Sequence, residues 1–264
     1  MFKRIGWTVG VMALVVGLIA PAWGGEQEDS GRAVFDKYQK AVVTIQLVLR
    51  VKFSSPEMGS DEKEAKDEVV GMIIDPSGLA VASLNRTDPS MMYENMMMGS
   101  DANIEVNVQS AKYLLDDGKE IEARVVLRDK DLDLAFLKPV TAPETPMTAV
   151  DLSQAAMPKI LDPIVGLVRL GKVAGRVCSA TMDRVQAVIE KPRTLYVPCG
   201  PVGMTDMGSP VFSLDGKAIG MMALRSIKSE SNGDSFGPGD DNAMPVIVPA
   251  ADIAEAAAQA TAEE

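Results

Sequence analysis

Histidine is absent from all 264 residues. That absence removes the side chain most often used as a general base near neutral pH, and the commonest metal ligand with it. Cysteine is nearly as scarce, with two residues in the chain. Two cysteines without histidine cannot assemble a zinc site of the usual ligand count, so a structural zinc is excluded and no cofactor is expected. Positive charge is also in deficit, 26 Lys+Arg against 37 Asp+Glu for a net charge of −11, and no basic run interrupts the pattern. An acidic surface repels phosphate backbones and anionic lipid, which argues against nucleic acid as a partner. Helical stretches of any length are few. What is abundant instead is turn-forming residue, with Gly 22 and Pro 16, among short β-branched runs. That mixture indicates an all-β fold.

The first residues read as an address. Lys3 and Arg4 form a positive start, Gly6 to Ala20 an apolar stretch, and Pro21 breaks it ahead of Ala22-Trp23-Gly24. Small residues at the two positions a signal peptidase reads predict a signal peptide over 1–24, with cleavage after about Gly24. An uncleaved anchor is the alternative, since Ile5 to Trp23 is nearly long enough to span a bilayer. Either way the chain is expected to be exported, periplasmic or extracellular, and membrane-anchored if the signal is kept. Export allows Cys178 and Cys199 to form a disulfide, with two independent buried thiols as the other possibility.

Along the rest of the chain, 25–40 is a polar lead-in ending in a short helical segment at Val34 to Tyr38. A first strand-rich half is expected over 41–139, beginning with Ala41 to Leu49. The charged run Ser60 to Glu68 reads as a solvated loop or hairpin tip. Asp75-Pro76-Ser77-Gly78 reads as a turn between two strands. Ile104 to Val108 alternates with period two, as a half-buried strand does. A linker spans 140–163 and a second strand-rich half 164–249, in which Lys172 to Ser179 and Arg184 to Ile189 are separate strands; the resemblance given below implies a β-barrel for each half. A C-terminal helix and tail, 250–264, follow Pro249, a residue suited to a helix start.

The order and spacing of these segments resemble the protease domain of the HtrA (Deg) family of trypsin-like serine proteases. The resemblance runs from about Val34 to Ala260. Gly71 to Ala82 is similar to the hairpin before the family's catalytic histidine. Asp117-Gly118-Lys119 and Asp129 to Leu137 are similar to the segment holding its aspartate. Gly208 to Gly220 is similar to the strand pair after its nucleophile, and Asn242-Ala243-Met244-Pro245 to its closing strand. The resemblance implies a trypsin-like double six-stranded β-barrel with a C-terminal helix. The family usually adds a peptide-binding PDZ domain, and a sequence that ends at Glu264 predicts none here.

Carried over position by position, the triad is degenerate. The histidine position falls on Asn85, whose amide is not a base near neutral pH. The aspartate position is Asp133, left without an imidazole to orient. The nucleophile position is Met207, whose thioether cannot form an acyl-enzyme. The glycine of the oxyanion hole is replaced by Thr205, and a β-branched residue resists the backbone freedom that glycine allows. The resemblance therefore implies a pseudoprotease whose inter-barrel cleft takes a peptide or protein partner, with regulation of another protein as one use. Two alternatives stay open. Ser209 is the possible nucleophile of a residual endopeptidase, whose base could only be a carboxylate or a lysine such as Lys172 or Lys217. The cluster Met91, Met92, Met96, Met97 and Met98 has thioethers that suit Cu(I), or simply an adaptable apolar loop.

Overall fold

The computed structural model describes residues 25–56, 59–90, 103–226 and 243–262. The signal segment, the methionine cluster and most of the Ser/Gly-rich stretch after β11 lie outside these residues. The first closed barrel comprises β1 (Val42–Ser55), β2 (Gly59–Ile73), β3 (Ala80–Ser83), β4 (Asn103–Leu114), β5 (Glu120–Asp129) and β6 (Leu134–Pro139), in the order β1-β2-β3-β6-β5-β4. The second comprises β7 (Pro163–Arg169), β8 (Cys178–Ile189), β9 (Leu195–Pro198), β10 (Pro210–Ser213), β11 (Ala218–Ser226) and β12 (Ala243–Pro249), in the order β10-β11-β12-β9-β8-β7. All pairings are antiparallel, and each sheet closes on itself. This is the double six-stranded barrel that the resemblance implied. The helices α1 (Glu26–Tyr38), the single turn α2 (Leu84–Thr87) and α3 (Ala250–Ala262) complete it.

Each barrel fills its interior with the apolar face of alternating strands. Ile45, Leu47, Tyr113, Ala135 and Leu137 pack in the first, and Ile164, Val185, Val211 and Ile219 in the second. A third cluster lies between the barrels and under the helices, including Phe136, Leu167, Phe212, Met221 and Val248. The two terminal helices seal that seam. In α1 the buried residues are Gly31, Val34 and Tyr38, spaced to share one face. Gly31 lies against Met182 and Val165, while Tyr38 stacks on Phe212 with ring centroids 4.5 Å apart and donates its hydroxyl to the Gly216 carbonyl at 3.2 Å. In α3, Ile253, Ala256 and Ala260 form the equivalent buried stripe. This helix rests on β5 and β6 of the first barrel as well as on β11 and β12 of the second.

Several local expectations are corrected. The lead-in helix starts at Glu26 rather than Val34, because its burying face needs Gly31 as well as Val34 and Tyr38. The charged run 60–68 is not a loop but the outer half of β2, paired with β1 out to Ser55 and Gly59. Its charges mark a strand wet on both faces. Residues 172–177 form a 3-10 turn and loop, and the two strands expected over 172–189 are a single one, β8. The disulfide does not form, and both thiols are free. Cys178 opens β8 opposite Arg169, whereas the Cys199 N–H donates to the carbonyl of Arg184, six residues further along β8. At about 3.3 Å per residue the two are separated by roughly 20 Å, well beyond bridging reach. Nor are the thiols equally buried: Cys178 is half-buried and Cys199 exposed.

Candidate functional site

The site grows out of two chain reversals, one in each barrel. In the first, β3 ends at Ser83 and the chain turns at once through α2, which presents Asn85. Asp133 faces it from the loop before β6, in a left-handed backbone conformation (φ 58°) that Asp tolerates better than most side chains. The Leu84 N–H donates to the Asp133 carbonyl at 2.9 Å and ties the start of α2 to the loop before β6 within the first barrel. In the second barrel, a 3-10 turn at Met204–Asp206 leads through Met207 and Gly208 into β10.

Asp133 is the hub. It is buried, and its carboxylate accepts three hydrogen bonds: from the Ser83 hydroxyl at 2.8 Å, the Asn85 backbone N–H at 2.6 Å and the Leu224 backbone N–H at 3.1 Å. The first two come from the first barrel and the third from β11 of the second. One carboxylate thus ties the barrels together. Burial pushes its pKa up to about 6, because the loss of hydration outweighs the donors that favour the ionised form.

That shift gives a prediction with a definite sign. A folded-state value above the ordinary carboxylate value means that the native state holds the proton more tightly than the unfolded chain. Stability contributed by this group therefore rises as pH falls through about 6 toward 4. The full swing is on the order of 3 kcal/mol. Asp133→Asn removes the titration, and it also aims an amide N–H at one of the three donors. In urea titrations at pH 7 and pH 4.5, the stability difference between the native chain and the variant should shift in favour of the native chain at the lower pH. A difference that stays constant with pH would show that Asp133 ionises normally.

The positions singled out in the sequence fall as follows. Asn85 and Asp133 meet directly, through the Asn85 backbone. Gly208, next to Met207, abuts the first barrel: a Cβ placed on it would lie 2.1 Å from the Val70 carbonyl oxygen and 3.4 Å from the Ser83 nitrogen. Met207 itself is buried, with an extended backbone (φ −63°, ψ 131°). Thr205 sits inside the 3-10 turn, which is closed by the Asp206 N–H to the Gly203 carbonyl at 3.0 Å and the Gly203 N–H to the Asp206 carboxylate at 2.7 Å. Its φ is outside the left-handed region, as suits a β-branched residue.

Ser209 is buried, and its hydroxyl has no hydrogen-bond partner among the described residues. Lys217 pairs with Asp215 at the β10–β11 turn, and Lys172 lies in the β7–β8 turn. Among the described residues, no base is hydrogen-bonded to the Ser209 hydroxyl. The five clustered methionines fall outside the described residues. Among the described residues, no group of three or more carboxylates or thiols is arranged to hold a metal ion, and no helix is long and apolar enough to cross a membrane.

Between the barrels, above Asp133, lies a small crevice of about 160 Å³. Leu84, Asn85 and Asp133 wall it on one side, Leu195, Leu224 and Val246 on the other. Arg225 stands at the rim and donates to the Asp131 carbonyl at 3.1 Å. Sequence reasoning missed Ser83 and Arg225. Ser83 was detectable as the one polar residue closing an apolar strand, a position that when buried demands a partner.

Two six-stranded antiparallel barrels that meet at a buried aspartate define the double-barrel peptidase class. Residues 71–221 match the model of the trypsin-like peptidase domain, and the chain belongs to that family. A solved structure of the serine endoprotease from Yersinia pestis shares the fold, with a TM-score of 0.57 and 13% sequence identity over 88% of this chain and 67% of that one. No curated protein matches the sequence.

Proposed function

We propose that this chain is an exported, HtrA-type pseudoprotease: a trypsin-like domain without peptidase activity that binds an extended peptide or a protein partner in the crevice between its barrels. The observation that carries the reading is the engagement of Asp133. In a working triad its carboxylate would orient an imidazole. Here three protein donors occupy it, one of them the backbone N–H of Asn85, the residue that falls at the histidine position. The aspartate serves as a joint between the barrels. The burial of Met207 and the unpartnered Ser209 hydroxyl support the same reading. On this reading recognition falls to the crevice and to the end of β11, Arg225 and Ser226, beyond the Leu224 N–H that Asp133 holds. An extended peptide laid there gains main-chain hydrogen bonds in the manner of an added strand.

Two measurements test it. A fluorophosphonate probe, which marks only an activated serine, should leave the folded chain unlabelled. Labelling that disappears in Ser209→Ala would restore the endopeptidase reading. A peptide array should yield extended ligands whose affinity falls about tenfold in Arg225→Glu, since charge at the rim of a small crevice is reversed. Ligands indifferent to Arg225 would place binding elsewhere.

A further inference from the structure

Three strands continue past the end of the first barrel. β1 stays paired with β2 as far as Ser55 and Gly59, and with β4 as far as Ser54 and Asn103. β3 meets β2 only at 71–73, and β5 meets β4 only at 111–114. Beyond them stands a three-stranded sheet, β2-β1-β4, whose outer edges have no partner strand among the described residues.

The two edges differ. From Asp61 to Glu68 the β2 edge has seven charged residues in eight positions, interrupted only by Ala65. Charge of that density is how natural sheets keep an exposed edge from pairing. From Asn103 to Ser110 the β4 edge has one charge, Glu105. The faces are skewed in the same way. Ile104, Val106 and Val108 lie opposite Phe53, Val51 and Leu49 of β1, while the same face of β2 carries Asp61 and Lys63. Val106 and Val108 continue the core of the first barrel and are only half-buried. An apolar stripe and an unguarded edge thus coincide on β4.

We propose that β4 is a self-association edge, pairing antiparallel with β4 of a second copy of this chain about a two-fold axis at Val106. The register follows from the sequence of the strand itself. With Val106 opposite its own copy, Ile104 meets Val108 and Glu105 meets Asn107. The apolar side chains pair with apolar ones on one face, and the single charge meets an amide instead of its own like. A two-fold axis at Glu105 would set carboxylate against carboxylate, which destabilises a cross-strand pair. The two three-stranded sheets become one six-stranded sheet with a continuous apolar face, through an isologous contact that closes on itself. An edge of about five residues is at the small end of specific interfaces, so the dimer is reversible and depends on concentration.

Sedimentation velocity over about a hundredfold range of concentration tests this by mass action. The chain should pass from monomer to dimer, Val106→Lys should remain monomeric, and Glu64→Ala on the guarded edge should behave like the native chain. Circular dichroism establishes that Val106→Lys is folded. If it is not, cross-linking decides instead. In a Cys178→Ser, Cys199→Ser background, Val106→Cys should oxidise to a covalent dimer and Glu64→Cys should not. A chain that stays monomeric throughout overturns the proposal, as does a dimer that survives Val106→Lys or cross-links through position 64.

Discussion

Gly208→Ala is expected to destabilise the fold by about 4 kcal/mol or more, lowering the melting temperature by roughly 10 °C. Two effects combine. Gly208 has φ 91°, a conformation L-residues adopt only with strain. Its missing Cβ would also lie 2.1 Å from the Val70 carbonyl oxygen, which is backbone inside a closed barrel and cannot swing aside. Relief requires the second barrel to back away from the first, which stretches the bond from the Leu224 N–H to Asp133 on the same seam. Gly118→Ala is the control. It has φ 82° but nothing within 4 Å of the added carbon, so it carries only the conformational part, about 1 kcal/mol. Equal melting temperatures for the two variants would mean that the barrels do not bear on each other at Gly208.

The second large effect is expected at Arg169. This guanidinium leaves the end of β7 and enters the first barrel almost completely buried. It donates to the Val42 carbonyl at 2.7 Å and the Gln39 carbonyl at 2.9 Å, and forms a forked pair with the Asp116 carboxylate. A neighbouring fork joins Arg176 to Glu68 at 2.8 and 2.6 Å and holds that carboxyl below its usual range, the Arg176 hydrogen bonds being the main cause. Arg169→Met keeps much of the side-chain volume but strips the donors from three main-chain acceptors, the carbonyls of Val42, Gln39 and Arg176, and from a carboxylate. About 3 kcal/mol should be lost in urea unfolding. Adding Asp116→Leu should return little of it, because the half-exposed Asp116 carboxylate stays hydrated without Arg169 and the loss lies in the unpaired main-chain carbonyls. A single-variant loss below about 1 kcal/mol would falsify the view of Arg169 as an inter-barrel anchor.

What the sequence made legible was decided by local packing. Val165 and Leu167 in β7, or Val246 to Val248 in β12, are apolar because the barrels enclose them, so their strands are evident from residue type alone. The outer half of β2 was hidden for the opposite reason. Beyond the barrel both its faces are wet, and alternation vanishes when neither side is buried. The disulfide expectation failed because sequence distance carries no strand offset: Cys178 opens β8, and Cys199 meets the same strand at its middle, at Arg184. Asn85 and Asp133 were visible through resemblance, yet the joint they form was not. Its donors are two backbone N–H groups and a serine, and backbone donors leave no mark in a list of side chains. Arg169 and Asp116 were equally quiet, one a charge at the end of an apolar run and the other a turn residue 53 positions away.

The terminal helices cross. The helix that precedes the first barrel lies on the second, and the helix that follows the second barrel reaches back onto β5 and β6 of the first. A protease nick in the stretch 140–162 would therefore not yield two independent halves. Each fragment would carry a piece of its neighbour's wall, with Tyr38 on one and its stacking partner Phe212 on the other. Such fragments are suited to reassembly from separate polypeptides, and the chain is by construction a candidate for a split reporter whose signal returns only when both pieces meet.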